Sequence, residues 1–189
     1  LYLLSERAEV HTQRVNLAES GFLVSMEKKE RLDAQNYPYT QTAQGLTYRL
    51  HYPSGADMET NAALAALLQS VENAILSEDG VDPKTGRRWD ELVDTDSWVR
   101  MFLLCEISGN LDSFKLSQYF YGDLRDGNVF AGPIWDCDKA MGNDNDPGWS
   151  VANPDVFMVC RYEKDDFVGP RLISALLRRE QFFEKAVML

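Results

Sequence analysis

Hydrophobic and polar positions alternate in the first third of the chain, which predicts strands there. Residues 22–27 form a short apolar run after a glycine, and residues 46–52 alternate between two faces before Pro53. The stretch 28–42 between them is charged and then polar, so it is predicted to be a surface excursion. Residues 1–52 are therefore expected to be rich in β-structure.

Helical spacing dominates three later segments. Apolar residues recur at helical intervals through residues 57–78 and 94–109, and each of these segments ends near a glycine. A terminal helix is predicted over residues 169–189, and the Pro- and Gly-containing stretch 81–88 predicts a loop. The chain is therefore expected to combine helices and strands in one domain of ordinary size.

A β-hairpin is predicted directly after the second helix. Its strands would be residues 115–121 and 129–135, joined by a turn at 122–128 that contains Asp126-Gly127. The hairpin matters because acidic residues lie just outside both of its strands.

Three aspartates are predicted to meet at the open end of this hairpin. If the turn is centred near Arg125, antiparallel pairing places Asp112 opposite Asp138. Asp136 and Asp138 are two residues apart on an extended chain, so they would point to the same side. Carboxylates this close together either raise a pKa or bind a cation, and hard oxygen ligands favour Mg²⁺, Mn²⁺ or Ca²⁺ over zinc.

Composition narrows the choice of partner. The 189 residues carry a formal charge of −11, which disfavours nucleic acid and anionic membranes and favours a metal ion or a basic partner. No apolar run has the length of a membrane helix. The three cysteines lack the spacing of metal ligands and are expected to be small buried residues, although a disulfide between two of them stays an alternative. The chain has only two histidines, which argues against a zinc site or a histidine triad.

The spacing of the acids is also typical of phosphoryl transfer. One acid follows a helix, a hairpin comes next, and an acidic pair lies about 24 residues farther on, as in enzymes of the kinase type. The alternative is that Asp112 caps a turn and that Asp136 and Asp138 are solvated. The apolar residues 132–135 before the pair favour the functional interpretation, whereas the Asp/Asn run 143–146 is predicted to be a solvated turn.

Three segments resemble motifs of the CotH (spore coat protein H) family. The family patterns are approximately G-N-x-D-S, N-Y-Y-x-Y and G-P-x-W-D-F-D-x-A-x-G, and the matching segments are residues 109–114, 119–121 and 132–142. Residues 1–7 and 21–27 are similar to its Y-L-L-x-E and G-Y-L-L-E segments. The resemblance covers most of the chain.

This resemblance implies an α+β, atypical protein-kinase-like fold. Residues 1–189 would form one CotH kinase-like domain, made of the hinge and the C-terminal lobe with the acid-bearing β-hairpin. The N-terminal lobe would precede Leu1, and a fragment without it is expected to bind ATP weakly and to have little kinase activity alone. The phosphate-gripping Lys or Arg would lie in that lobe, since none of the available lysines matches the role: Lys28, Lys29, Lys115 and Lys139.

The resemblance also assigns roles to residues. Asp112 would match the catalytic-loop acid, Asp136 the metal-binding acid, and Asp138 an auxiliary metal-binding acid. Ser117-Gln118 stand where the family has an Asn or His, so Gln118 would have to supply the second metal contact. Cys137 replaces the usual aromatic residue between the two acids.

The adenine-binding hinge is placed by resemblance at Leu4, Ser5 and Glu6, whose backbone would contact the base. The cofactors implied are ATP and Mg²⁺ or Mn²⁺. The partner implied is a protein with Ser or Thr acceptors, and a basic one would complement the charge of the chain. The setting implied is extracytoplasmic: a bacterial spore coat, a cell surface or the secreted fraction.

Two other functions stay open. One is a non-catalytic pseudokinase that scaffolds a coat or surface assembly, suggested by Cys137 and Gln118. The other is a Ca²⁺-dependent adhesion or carbohydrate module that uses the acids with Trp135 and Trp149. Trp89 and Trp98 are expected to be core residues instead.

Overall fold

The computed structural model describes residues 8–110, 112, 114–141, 143 and 168–189. Within these residues helices and strands alternate irregularly along the chain. In chain order they are β1 Gly21–Met26, α1 Lys29–Gln35, β2 Tyr39–Gln41, β3 Thr47–Tyr52, α2 Met58–Leu76, α3 Trp89–Leu92, α4 Thr95–Ser108, β4 Tyr119–Asp123, β5 Asn128–Ala131, α5 Val168–Leu177 and α6 Glu180–Met188.

The strands form one antiparallel sheet in the order β2-β3-β1-β4-β5. The predicted strands at 22–27 and 46–52 are confirmed as β1 and β3. Most residues of the stretch 28–42 are exposed, as predicted, but the stretch also contains α1 and β2, which the prediction did not include. Leu32 alone anchors α1 in the core, which is too little apolar signal for a helix to be recognised from spacing.

The two long helices lie close to their predicted bounds, although α2 ends at Leu76, two residues before the predicted end. The Asp57 carboxylate accepts from the backbone N–H of Thr60 at the start of α2, and Asp94 caps α4 in the same way. Gly109 ends α4 with a left-handed backbone, φ 62°. The predicted terminal helix is instead two helices, since Arg179 is extended between α5 and α6 and donates to the carbonyl of Glu78.

The main core lies between the helices and one face of the sheet. Trp89 and Trp98 are buried in it, which confirms their expected role. Trp98 also donates its indole N–H to the carbonyl of Val129 at 2.9 Å, which ties α4 to β5. A smaller cluster of Val15, Leu23 and Tyr119 covers the other face of the sheet beneath residues 8–17.

The hairpin exists, but its strands are shorter than predicted. The β4–β5 ladder runs from Asp123–Asn128 to Phe120–Ala131, and one further hydrogen bond joins Gly132 to Tyr119. In the described part of the chain no helix is both long enough and apolar enough to cross a bilayer. The assignment of residues 1–189 to a hinge and a lower lobe stays a prediction.

Candidate functional site

The site is built from two segments that leave regular structure. One is the loop of residues 110–117 after α4, and the other is the segment 132–138 after β5. The amide nitrogen of Asn110 lies 3.8 Å from the Cys137 sulfur, and the Ser117 hydroxyl donates to Asp136 Oδ2 at 2.8 Å. Both ends of the loop therefore contact the acidic segment, and Asp112 lies between these two contacts.

The predicted cross-strand pairing of Asp112 with Asp138 is wrong. The ladder stops at Tyr119 and Gly132, so neither aspartate is part of it. The cause is the backbone, because Ser117 has φ 55° and Asp136 has φ 57°, and neither angle is compatible with an extended strand. Among the residues that the structure describes, no three His, Cys, Asp or Glu side chains form a group able to hold a metal ion.

Asp112 stands in a tight turn. Its N–H donates to the side-chain oxygen of Asn110 at 3.2 Å, and its carbonyl accepts from the N–H groups of Lys115 and Leu116. Its carboxylate lies 3.8 Å from the Lys115 ammonium, and only 13% of its side chain is exposed. Hydrogen bonds of its own backbone thus fix the position of Asp112, and the Lys115 ammonium lies beside its carboxylate.

The other predicted metal ligands differ in their environment. Asp136 and Asp138 are exposed, whereas Gln118 is buried and its amide N–H donates to the carbonyl of Tyr119 at 3.0 Å. Cys105 is buried as predicted, but the prediction that Cys137 is buried is wrong, because it is exposed. Desolvation still raises the pKa of the Cys137 thiol, and the charges of the two flanking aspartates raise it further. The thiol between the acids is therefore protonated at neutral pH.

Left-handed residues are concentrated in and beside this site. Four of the five non-glycine residues with positive φ in the described structure are Phe114, Ser117, Asp136 and Met141. Such a backbone costs on the order of 1–3 kcal/mol per residue and persists only where the surroundings enforce it. The hydrogen bond from the Met141 N–H to the carbonyl of Ser108 is one such constraint.

Glu27 is a neighbour of Asp136 that sequence reasoning did not assign. It follows β1, its side chain is only 12% exposed, and it lies 3.5 Å from the Arg31 guanidinium. Burial raises the pKa of the Glu27 carboxyl, Arg31 and Arg49 oppose this, and the charge of Asp136 adds to the rise. The available signal was the glutamate in the G-Y-L-L-E resemblance, which by itself indicates no role.

Asp136 and Asp138 line an open pocket of about 1210 Å³ between residues 8–16, α4 and the segment after β5. Arg14 and Arg100 line the same pocket, so it contains charges of both signs. Its apolar wall includes Met101, Leu104, Tyr121, Ile134 and Trp135. No sequence pattern connects residues 8–16 with α4, so this pocket was not predicted.

Two carboxylates of this pocket have the chemistry of ligands for a divalent ion, and Mg²⁺ is commonly bound by one or two carboxylates together with substrate phosphates. Asp136 and Asp138 offer carboxylate oxygens, which Mg²⁺ and Mn²⁺ prefer, and each is exposed at the pocket. The predicted hinge residues Leu4, Ser5 and Glu6 lie outside the described residues, as do Trp149 and Cys160.

Comparison with known proteins adds the family. No curated protein and no solved structure matched the chain. The family model described as CotH kinase protein matches residues 1–185, nearly the whole sequence. The motifs at 109–114 and 132–142 lie in the two segments that form the site. The chain therefore belongs to the CotH kinase protein family.

Proposed function

We propose that this protein is a Mg²⁺- and ATP-dependent protein kinase that transfers phosphate to Ser or Thr of secreted or spore-coat proteins. The observation that carries this proposal is the mixed-charge pocket at Asp136 and Asp138 in a member of a kinase family. Mn²⁺ would serve the same ligands. The proposal includes a kinase-like arrangement of the hinge and lower lobe.

The pocket offers what each part of a nucleotide requires. Its apolar wall suits a base, and the Arg100 guanidinium suits phosphate oxygens, whereas Arg14 is already paired with Glu9, which also lines the pocket. Asp136 and Asp138 would hold the metal, which neutralises phosphate charge during transfer. The resemblance places the hinge at residues 4–6, shortly before the pocket wall formed by residues 8–16.

Asp112 would orient the acceptor hydroxyl and take its proton. A carboxylate fixed by its own turn suits this role, because a base must be held within hydrogen-bonding reach of the acceptor. The Lys115 ammonium lies 3.8 Å from this carboxylate. With a charge of −11 on the chain, an acceptor segment containing Lys or Arg would be attracted to the site.

Two variants of the full-length protein separate these roles. Asp112→Asn is expected to lower phosphate transfer from labelled ATP to a Lys/Arg-rich serine peptide by about 100-fold or more, since a lost base costs about 10²–10⁴. It should keep the increase in melting temperature caused by MgATP. Asp136→Asn is expected to lose both the transfer and the MgATP stabilisation.

Asp126→Asn is the matched control, because Asp126 lies exposed in the hairpin turn and an Asn-Gly turn preserves its geometry. It should behave as wild type in both assays. Wild-type transfer rates in Asp112→Asn and Asp136→Asn would refute the kinase assignment.

A non-catalytic pseudokinase is the second candidate. The observation that favours it is Gln118, whose amide is engaged with the carbonyl of Tyr119 and is buried. If no other group replaces it, the second metal contact of an active kinase is missing. MgATP stabilisation of the wild type without any phosphate transfer would support this candidate over the first.

A further inference from the structure

We propose that Ser117 is a positioning residue that orients the carboxylate of Asp136 for metal binding. This inference depends on the proposed function, because it assumes that Asp136 binds the metal. Its basis is one contact between the two site segments, in which the Ser117 hydroxyl donates to Asp136 Oδ2 at 2.8 Å. Ser117 is nearly buried, whereas Asp136 is exposed.

Ser117 is itself anchored to the sheet. Its N–H donates to the carbonyl of Met26 at 2.8 Å, and the N–H of Met26 donates to the carbonyl of Gln118 at 2.8 Å. Met26 is the last residue of β1, which is hydrogen-bonded on both sides in the sheet. The hydroxyl is therefore held by a rigid element and can restrain the carboxylate of a segment that lies outside any strand.

The backbone of both partners is unusual. Ser117 and Asp136 are left-handed, a conformation that glycine adopts more readily than either of them. Both residues lie outside the ladder, and their side chains are nevertheless in contact. A glycine at either position would suit the backbone better, but it would remove the contact.

One hydrogen bond leaves the carboxylate able to bind a metal ion. An ionised Asp has about four lone-pair sites, and the hydroxyl uses one of them. In metal sites, hydrogen bonds of this kind fix the orientation of ligating carboxylates, and their loss costs about 10–100-fold in metal affinity. Ser117 would thus orient a metal ligand without touching the metal itself. Gln118, in contrast, is buried, and its amide donates to the carbonyl of Tyr119.

Mn²⁺ binding to the full-length protein, measured by electron paramagnetic resonance without nucleotide, tests this role. Ser117→Gly removes the hydroxyl and suits the left-handed backbone, so it is expected to fold and to bind Mn²⁺ about 10–100-fold more weakly. Ser117→Asn supplies an N–H donor and also tolerates this backbone, so its affinity should stay within about threefold of wild type. Ser54→Gly, at an exposed serine, is the control.

The outcomes distinguish the two proposals. If the wild type binds no Mn²⁺, the proposed function fails and this inference fails with it. If the wild type binds Mn²⁺ and Ser117→Gly binds it equally well, the positioning role alone is refuted. The same refutation follows if Ser117→Asn is as weak as Ser117→Gly while both keep the melting temperature of the metal-free wild type.

Discussion

The carboxyl of Glu72 lies in the core, and its titration leads to a quantitative prediction about stability. Glu72 is on α2 and is fully buried, with its carboxyl accepting from the Tyr48 hydroxyl at 2.9 Å and from Thr42. Burial raises its pKa from 4.5 to about 7, and the two hydrogen bonds only partly oppose this. The folded protein therefore retains this proton in a range where the unfolded chain has lost it.

The sign and size follow from proton linkage. Between pH 4.5 and 7 the folded state binds more protons than the unfolded state, so the free energy of unfolding decreases as the pH rises. At about 1.4 kcal/mol per pKa unit, this group alone should lower stability by about 2.5 kcal/mol between pH 5 and pH 8. About one pH unit below 4.5 both states are protonated, and its contribution no longer changes with pH.

Glu72→Gln removes this titration and keeps an acceptor for Tyr48. The variant is expected to be more stable than wild type by about 3 kcal/mol at pH 8 and by only about 1 kcal/mol at pH 5. Urea denaturation at four pH values, followed by tryptophan fluorescence, measures the difference. Glu184→Gln, at an exposed position on α6, is the control and should differ little from wild type at any pH. A difference between Glu72→Gln and wild type that does not change with pH would refute the reasoning.

Three more variants test other features. Asp82→Asn should lower the free energy of unfolding by about 1–3 kcal/mol at pH 7, measured by urea denaturation. Burial raises the pKa of the Asp82 carboxyl, but its hydrogen bonds outweigh this and lower the pKa to about 2, so the advantage of the wild type should disappear as the pH falls through that value. Gly169→Ala should lower the melting temperature by about 5 °C or more, because its Cβ would lie 1.7 Å from the carbonyl oxygen of Phe114. Arg100→Gln should weaken MgATP binding about tenfold in calorimetry and leave adenosine binding unchanged, whereas Arg171→Gln should change neither.

Elements with strong local signals could be predicted from the sequence. The apolar spacing of α2 and α4 and the glycine after α4 are local signals, and the structure has these features where expected. The helix α1 was not recognised from the sequence, because Leu32 is its only buried residue. The break between α5 and α6 was not predicted for another reason. Arg179, at the break, donates to carbonyls near residue 78, about 100 residues away in the sequence.

The two site segments show the same limit more sharply. Asp112 and Asp136 could be singled out because acids after a helix and after an apolar strand are a local pattern. Their relative placement could not be predicted, because it depends on left-handed residues that end the ladder early. Serine and aspartate give no warning of such a backbone, and a simple count from the turn then assumes extended chain where there is none.

The early end of the ladder is also what gives the acids access to the pocket. Had β4 and β5 continued to residues 115 and 135, alternation would have fixed the faces of Trp135 and Asp136 by the pleat of the sheet alone. Instead the segment after Gly132 runs along α4 and places Asp136 and Asp138 on the pocket that Arg100 also lines. The Ser117–Asp136 hydrogen bond then restores, at one point, the restraint that a strand would have supplied. A single hydrogen bond restrains one carboxylate, whereas a strand would also fix the side of the sheet to which each neighbouring side chain points. The single restraint therefore suits a metal ligand better.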